Sequence, residues 1–591
     1  GGGILTASGG SAIADTGLVN AASGTFDVVN SETIGALSGA GNVTLAGGQT
    51  LTVAGTGTAA PTTFSGVVSS DGGLTVNSAT ADLTLSGTNT YTGDTTVTNG
   101  NLTVTGSLAS TPNTVNGGTL TVAGTTGGGT ELGGTTTVSS GALVVTSGDV
   151  AAVVNNAVTD GTPDVTLSGG SIGTMTQNTG DFALNGGTVG TLTQSGGATV
   201  VGGNATITNA STLSGGTFAV NAGSTLTPTG GISAEGTAVL DVAGSVDGTV
   251  NVGGTSTVTH NFGNGTTFGF TSEVIVTNAD ATVELNRNYQ IVTLDNQSGT
   301  VTTTATGTTG FAQFGTVTNG GTLNINGTTS IGADVTNTGT LNVAAVFGND
   351  GTQLAINNSG SLNLSGAQIV AGINQTAGQT TVTGSSSVIH TSTISGGNLT
   401  VNDGVNFTAS GSVDISGAGT LTMNGTITGD VDITSGQTTN TIGNGTGTDR
   451  ITGTFTQNNA NSVTTINSDS RIGTLVNTAG TIIYAGTGTH TLDNASSNAG
   501  TMTVGSGVTV TATNGLTNTG TLNLDGTIAG ALTLNGGNTI VNSAVASVTG
   551  LTTVNTNGTL TVNANQAFDA AGGLLVDGGA VVANGTISGN V

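Results

Sequence analysis

Gly118-Thr119-Leu120-Thr121-Val122 decides the fold: a turn glycine, then apolar side chains separated by single polar ones. This alternation puts Leu120 and Val122 on one side of an extended segment and Thr119 and Thr121 on the other. The unit recurs as Gly216-Thr217-Phe218-Ala219-Val220, Gly321-Thr322-Leu323, Gly339-Thr340-Leu341, Gly360-Ser361-Leu362 and Gly397-Asn398-Leu399. Further copies begin at Gly419, Gly500, Gly520 and Gly558. Leu323 and Leu341 are 18 residues apart, Leu341 and Leu362 21, Leu399 and Leu421 22, and Met502 and Leu522 20. Met175-Thr176-Gln177 and Leu192-Thr193-Gln194 form another pair, offset by 17.

A repeat of this length suits solenoid coils and is too short for propeller blades of roughly 40 residues. Each copy offers only a few inward apolar side chains, so no copy can hold a core alone. Stacking coils about 4.8 Å apart pairs every strand with its neighbours and joins the inward residues into ladders. The expected fold is all-β: a single-stranded parallel β-helix (solenoid) of roughly 30 coils of about 20 residues, about 140 Å of stacked coils, with almost no α-helix. The domain expectation is one continuous solenoid over 1–591. Residues 262–310 are the candidate for irregular coils or a lateral loop. Phe262, Phe268, Phe270, Tyr289 and Arg287 cluster there, and 303–310 read as a loop. Asn-Gly pairs at 116, 185, 319 and 535 are assigned to corners. Stacked Asn and Thr side chains are expected to hydrogen-bond along the ladder.

Composition narrows the function. The 591 residues include 106 Gly, no Cys and no Trp, so disulfides and thiol chemistry are excluded. Thirty acidic residues face three basic ones (Arg287, Arg450 and Arg471) for a net charge of −27. Nucleic acid is excluded as a partner, because phosphate binding needs cations. No run approaches the roughly 18 apolar residues of a membrane helix, so no membrane insertion is expected within this segment. The chain opens at Gly1 without a basic, apolar leader and closes at Val591 in repeat-like sequence. It reads as a mature product or an internal fragment.

One stretch carries a family resemblance. Residues 64–74 run from Phe64-Ser65-Gly66 to Gly72-Gly73-Leu74, and residues 83–104 read LTLSGTNTYTGDTTVTNGNLTV. Over 62–104 the order resembles the passenger-associated β-strand repeat of bacterial autotransporters, which are related to filamentous haemagglutinin-type β-helix adhesins. The resemblance implies a right-handed parallel β-helix exported to the surface of a Gram-negative bacterium. It supplies no catalytic residues. The terminal membrane β-barrel usual in that family is not recognisable before Val591.

Candidate chemistry is sparse. His260, His390 and His490 share no ligand spacing and are expected in solvent-facing turns. Asn444-Gly445-Thr446-Gly447-Thr448-Asp449-Arg450-Ile451 matches one unit of a calcium-binding nonapeptide roll, making Asp449 a candidate ligand. A single unit does not build that roll, and an ordinary Gly-rich corner is the competing reading. Asp430 and Asp432 form a paired carboxylate or simply a solvent face. No cofactor is expected beyond loosely bound Ca2+. The expected role is a non-catalytic, extracellular, cell-surface structural or adhesive stalk. Its partners would be a host or abiotic surface, glycans or other cells. The alternatives are a filament, sheath or surface-layer subunit associating end to end, and a polysaccharide-active enzyme on the same scaffold.

Overall fold

The computed structural model describes residues 2–55, 61–80, 82–109, 112–125, 129–253, 259–263, 268–286, 288–304, 312–349, 353–436, 438–443 and 449–591. The chain is a parallel β-solenoid of about 27 turns; strands make up 63 % and no helix occurs in the described part, in line with the helix-poor expectation. The turn number falls below the expected 30 because some coils are long. Val165 pairs with Phe182, 17 residues on, whereas Thr439 pairs with Val463, 24 residues on.

Two compact units are present, Gly1–Asp295 and Asn296–Val591. In each, a coil contributes three strands separated by corners. In the first unit, one coil comprises Thr50–Val53, Thr62–Phe64 and Val67–Ser70. The next begins with Gly73–Asn77 and Leu83–Leu85, which stack in parallel on the first two of these. In the second unit, Thr329–Ile331, Val335–Asn337 and Thr340–Val343 stack on Val346–Gly348, Ala355–Asn358 and Ser361–Ser365.

The repeat sets the packing. In Thr322–Ile325 and Thr340–Val343 the outward residues are half-buried and the inward ones fully buried. Leu323, Leu341 and Leu362 therefore sit one above another inside. Each such side chain, once buried, contributes about 1.5–3 kcal/mol. Close approach at one corner demands glycine. Gly321, Gly339, Gly360, Gly378 and Gly397 stack there, and a Cβ on Gly378 would overlap the carbonyl oxygen of Gly360. Gly378 also has φ +67°, a conformation that side-chain-bearing residues rarely adopt.

The passenger-like segment explains its own residues. Asn89 is buried; it accepts from the Val68 N–H at 3.0 Å and donates to the Gly87 and Ser107 carbonyls. One amide thus ties three coils. Tyr91 fills the interior, with its hydroxyl 2.6 Å from Thr95 Oγ1.

Residues 262–291 hold regular strands, including Thr259–Phe262, Gly269–Val276 and Thr282–Leu285. Phe262 and Tyr289 are buried against each other, ring centroids 5.8 Å apart. Phe268, by contrast, is 60 % exposed. Arg287 and residues 305–310 of the expected loop lie outside the described residues.

Candidate functional site

The interior carries more polar chemistry than the sequence suggested. In the second unit Asn296, Asn319, Asn337 and Asn358 are buried in one column. Asn296 donates through Nδ2 to Asn319 Oδ1 at 2.8 Å. Asn319 donates to Asn337, and Asn337 to Asn358, both at 2.7 Å. Each also donates to a backbone carbonyl, those of Thr322, Thr340 and Ser361 respectively. Asn477, Asn498 and Asn518 repeat the device at 2.7 Å per step. A buried amide without partners costs roughly 1–3 kcal/mol, and the column supplies those partners. Asn319 is therefore not the exposed corner residue its Asn-Gly pair suggested. Asn116, Asn185 and Asn535 are exposed. In the first unit, Asn155, Gln177 and Gln194 also stack inward, with Gln177 and Gln194 donating to backbone carbonyls and not to one another.

Three buried carboxylates anchor loops. Glu32 accepts from the backbone N–H groups of Ala12 and Ile13, at 3.0 and 2.7 Å. Asp181 accepts from those of Asp160 and Gly161, at 2.9 and 2.7 Å. Glu131 accepts from that of Asp149. Burial, together with the Asp181 and Asp160 charges, raises the pKa of Asp164 beside them despite the Asp181 N–H it accepts.

The histidines depart from expectation. His260 and His490 are fully buried in the inward phase of Thr259–Phe262 and Thr489–Leu492, so neither is a solvent-facing turn residue. The alternation with Phe262 and Leu492 was the signal. Leu240 N–H donates to His260 Nδ1 at 3.3 Å, and burial pulls the His260 pKa down to about 4. Burial also lowers that of His490, with the Asp469 charge opposing. His390 is half-buried, beside a depression of about 330 Å³ lined in part by Leu354, Gly372, Ile389 and Thr391.

Asp449 is also buried, as the first residue of strand Asp449–Ile466. Its Oδ2 accepts from the Ser468 hydroxyl at 2.8 Å, and its Oδ1 has no partner among the described residues. Burial raises its pKa, opposed by the Ser468 bond and aided by the Asp403 charge. The preceding residues 444–448 of the nonapeptide match lie outside the described residues. Among the described residues, no group of three His, Cys, Asp or Glu side chains is placed to hold a metal.

Above Asp449 in the same inward column come Ser470 and then His490. Ser470 Oγ lies 2.9 Å from His490 Nδ1, and the Tyr484 ring packs on the imidazole with centroids 4.9 Å apart. The carboxylate is thus on the serine side and two rungs, about 10 Å, from the imidazole. That order does not orient the histidine as a base. All three are enclosed by the coils.

The exterior is built from short polar side chains. Thr33, Thr52, Thr75, Thr96, Thr114 and Thr137 occupy one outward row on successive coils. Asn324, Asn342 and Asn363 occupy another; Asn342 Nδ2 donates to Asn324 Oδ1 at 2.8 Å and Asn363 Nδ2 to Asn342 Oδ1 at 2.7 Å. Asp432 also faces outward and is paired in register with Asp414. Asp430 lies just before that strand and accepts from Thr454 N–H at 2.7 Å. Arg450 and Arg471 sit on successive rungs of one row. Arg471 is held by Asp493 at 2.9 Å, which raises its pKa.

This architecture places the chain in the class of parallel β-solenoids. No family model, no curated protein and no solved structure matches it.

Proposed function

We propose that the chain is a non-catalytic structural or adhesive stalk, carried on the bacterial cell surface in the manner of an autotransporter passenger. One observation supports this above others. The column that stacks Asp449, Ser470 and His490 is enclosed, while the outer faces repeat short hydroxyl and amide side chains. Repeated weak contacts along such a face act by avidity, and a single deep pocket is not required.

The test is retention of beads coated with the full chain on abiotic, glycan-coated and cell-covered surfaces under flow. Retention above that of albumin-coated beads on at least one surface is expected, with no release of reducing sugar ends from any polysaccharide offered. Retention on none of them, or steady polysaccharide cleavage, overturns the proposal. Electron microscopy of the same sample should show separate particles; continuous fibres of uniform width would replace the stalk with a filament subunit. The export route predicts a signal segment and a β-barrel encoded in the same gene.

A further inference from the structure

We propose that Arg450 and Arg471 form a binding site for the carboxylate groups of an acidic polysaccharide. The inference rests on the adhesive reading above and names its ligand class.

The chain has only three cationic side chains in 591 residues, yet two of them are Cα partners on adjacent coils. Both lie in the outward phase of their strands. Like charges directly opposite each other destabilise a sheet. Among the described residues only Arg471 is paired with an acid. Asp493 accepts from Arg471 Nε with both carboxylate oxygens at 2.9 Å, which fixes that guanidinium and leaves its terminal nitrogens to donate elsewhere. Arg450 has no such partner among the described residues, and its Nε is shielded from solvent without an acceptor. Asp430 and Asp469 each hold a backbone N–H: Asp430 accepts from Thr454 at 2.7 Å and Asp469 from Thr489 at 2.6 Å. A carboxylate placed between the terminal nitrogens of the two guanidiniums offsets the repulsion between them.

The surroundings select a sugar chain. Thr426 lies one rung before Arg450, and Thr491 and Thr511 follow Arg471 in the same row. The five side chains of this row, Thr426, Arg450, Arg471, Thr491 and Thr511, follow one another at about 4.8 Å intervals, comparable with the length of one pyranose in a linear polymer. No aromatic ring or apolar side chain stands in this stretch of the row to receive a peptide. The net charge of −27 repels polyanions elsewhere on the surface. At physiological salt that repulsion fades beyond about 8 Å, so distant acids weigh little against Arg450, Arg471 and the adjoining Asp493.

The experiment measures binding of oligogalacturonate to the full chain at low and physiological salt, with neutral dextran and phosphatidylglycerol vesicles as comparisons. Oligogalacturonate alone should bind. Arg450→Gln and Arg471→Gln should each weaken it by at least tenfold, and Arg450→Lys, which keeps the charge without the fork, by less. Circular dichroism checks folding. Arg471, whose side chain is 49 % exposed, keeps the test open if Arg450→Gln misfolds. Absent binding by the parent chain, unchanged affinity in both glutamine variants, or equal binding of dextran or vesicles overturns the site. A chain that holds to surfaces yet ignores oligogalacturonate loses this site but keeps its adhesive role. One that binds oligogalacturonate through Arg450 yet adheres to nothing loses the adhesive role and keeps the site.

Discussion

Acid should loosen the coil around His260 before it loosens its neighbours. The imidazole is fully buried, and Leu240 N–H donates to its Nδ1, so the folded coil requires the neutral ring. Burial lowers its pKa from 6.5 to about 4. Between those values the unfolded chain binds a proton that the folded coil does not. Stability therefore is full above about pH 6.5 and declines as the pH falls toward 4. The gap between those two values corresponds to roughly 3 kcal/mol, or about a 300-fold rise in the local opening constant. Because solenoid coils open locally, the suitable assay is hydrogen exchange on peptides spanning 238–262, corrected for intrinsic rates from pH 7.5 to 4. His260→Gln keeps an acceptor in place of the imidazole and removes the titration. It should flatten the profile in that window while other coils keep theirs. An identical pH profile in parent and variant, or a measured His260 pKa near 6.5, would refute the reasoning.

Asn337→Ala should destabilise the second unit by about 1–3 kcal/mol, because it breaks a buried amide column in the middle. Asn342→Ala, on the half-exposed outer column, should cost under about 0.5 kcal/mol; equal shifts in denaturant midpoint for the two would contradict the burial argument. Gly378→Ala should cost several kcal/mol through φ strain and overlap with Gly360, read as a drop in thermal midpoint and local loss of exchange protection. Native trypsin should leave the bonds after Arg450 and Arg471 intact, since both lie within strands paired to neighbouring coils. Rapid cleavage at either would show that the coil there is open.

The ladder of Leu323, Leu341 and Leu362 was legible because apolar alternation after a glycine has one structural reading. The polar interior was not, because the same residue type serves two sites. Asn319-Gly320 looks like a turn, yet Asn319 follows Val317 by two residues and so shares its inward phase. His260 and His490 were misplaced for the same reason: polarity was weighed ahead of phase. The passenger-like motif marked Asn89 and Tyr91 as special without saying that one bridges coils and the other fills the core. The stacking of Arg450 on Arg471 depends on a coil length that no local pattern specifies.

The buried asparagine column also makes successive rungs interchangeable. Asn337 and Asn358 are 21 residues apart and present the same donor and acceptor to whatever lies above and below. Excising one such segment would set Asn337 against Gln375 without leaving an amide stranded. The protein can accordingly gain or lose a turn at this column through duplication or deletion without stranding a buried amide.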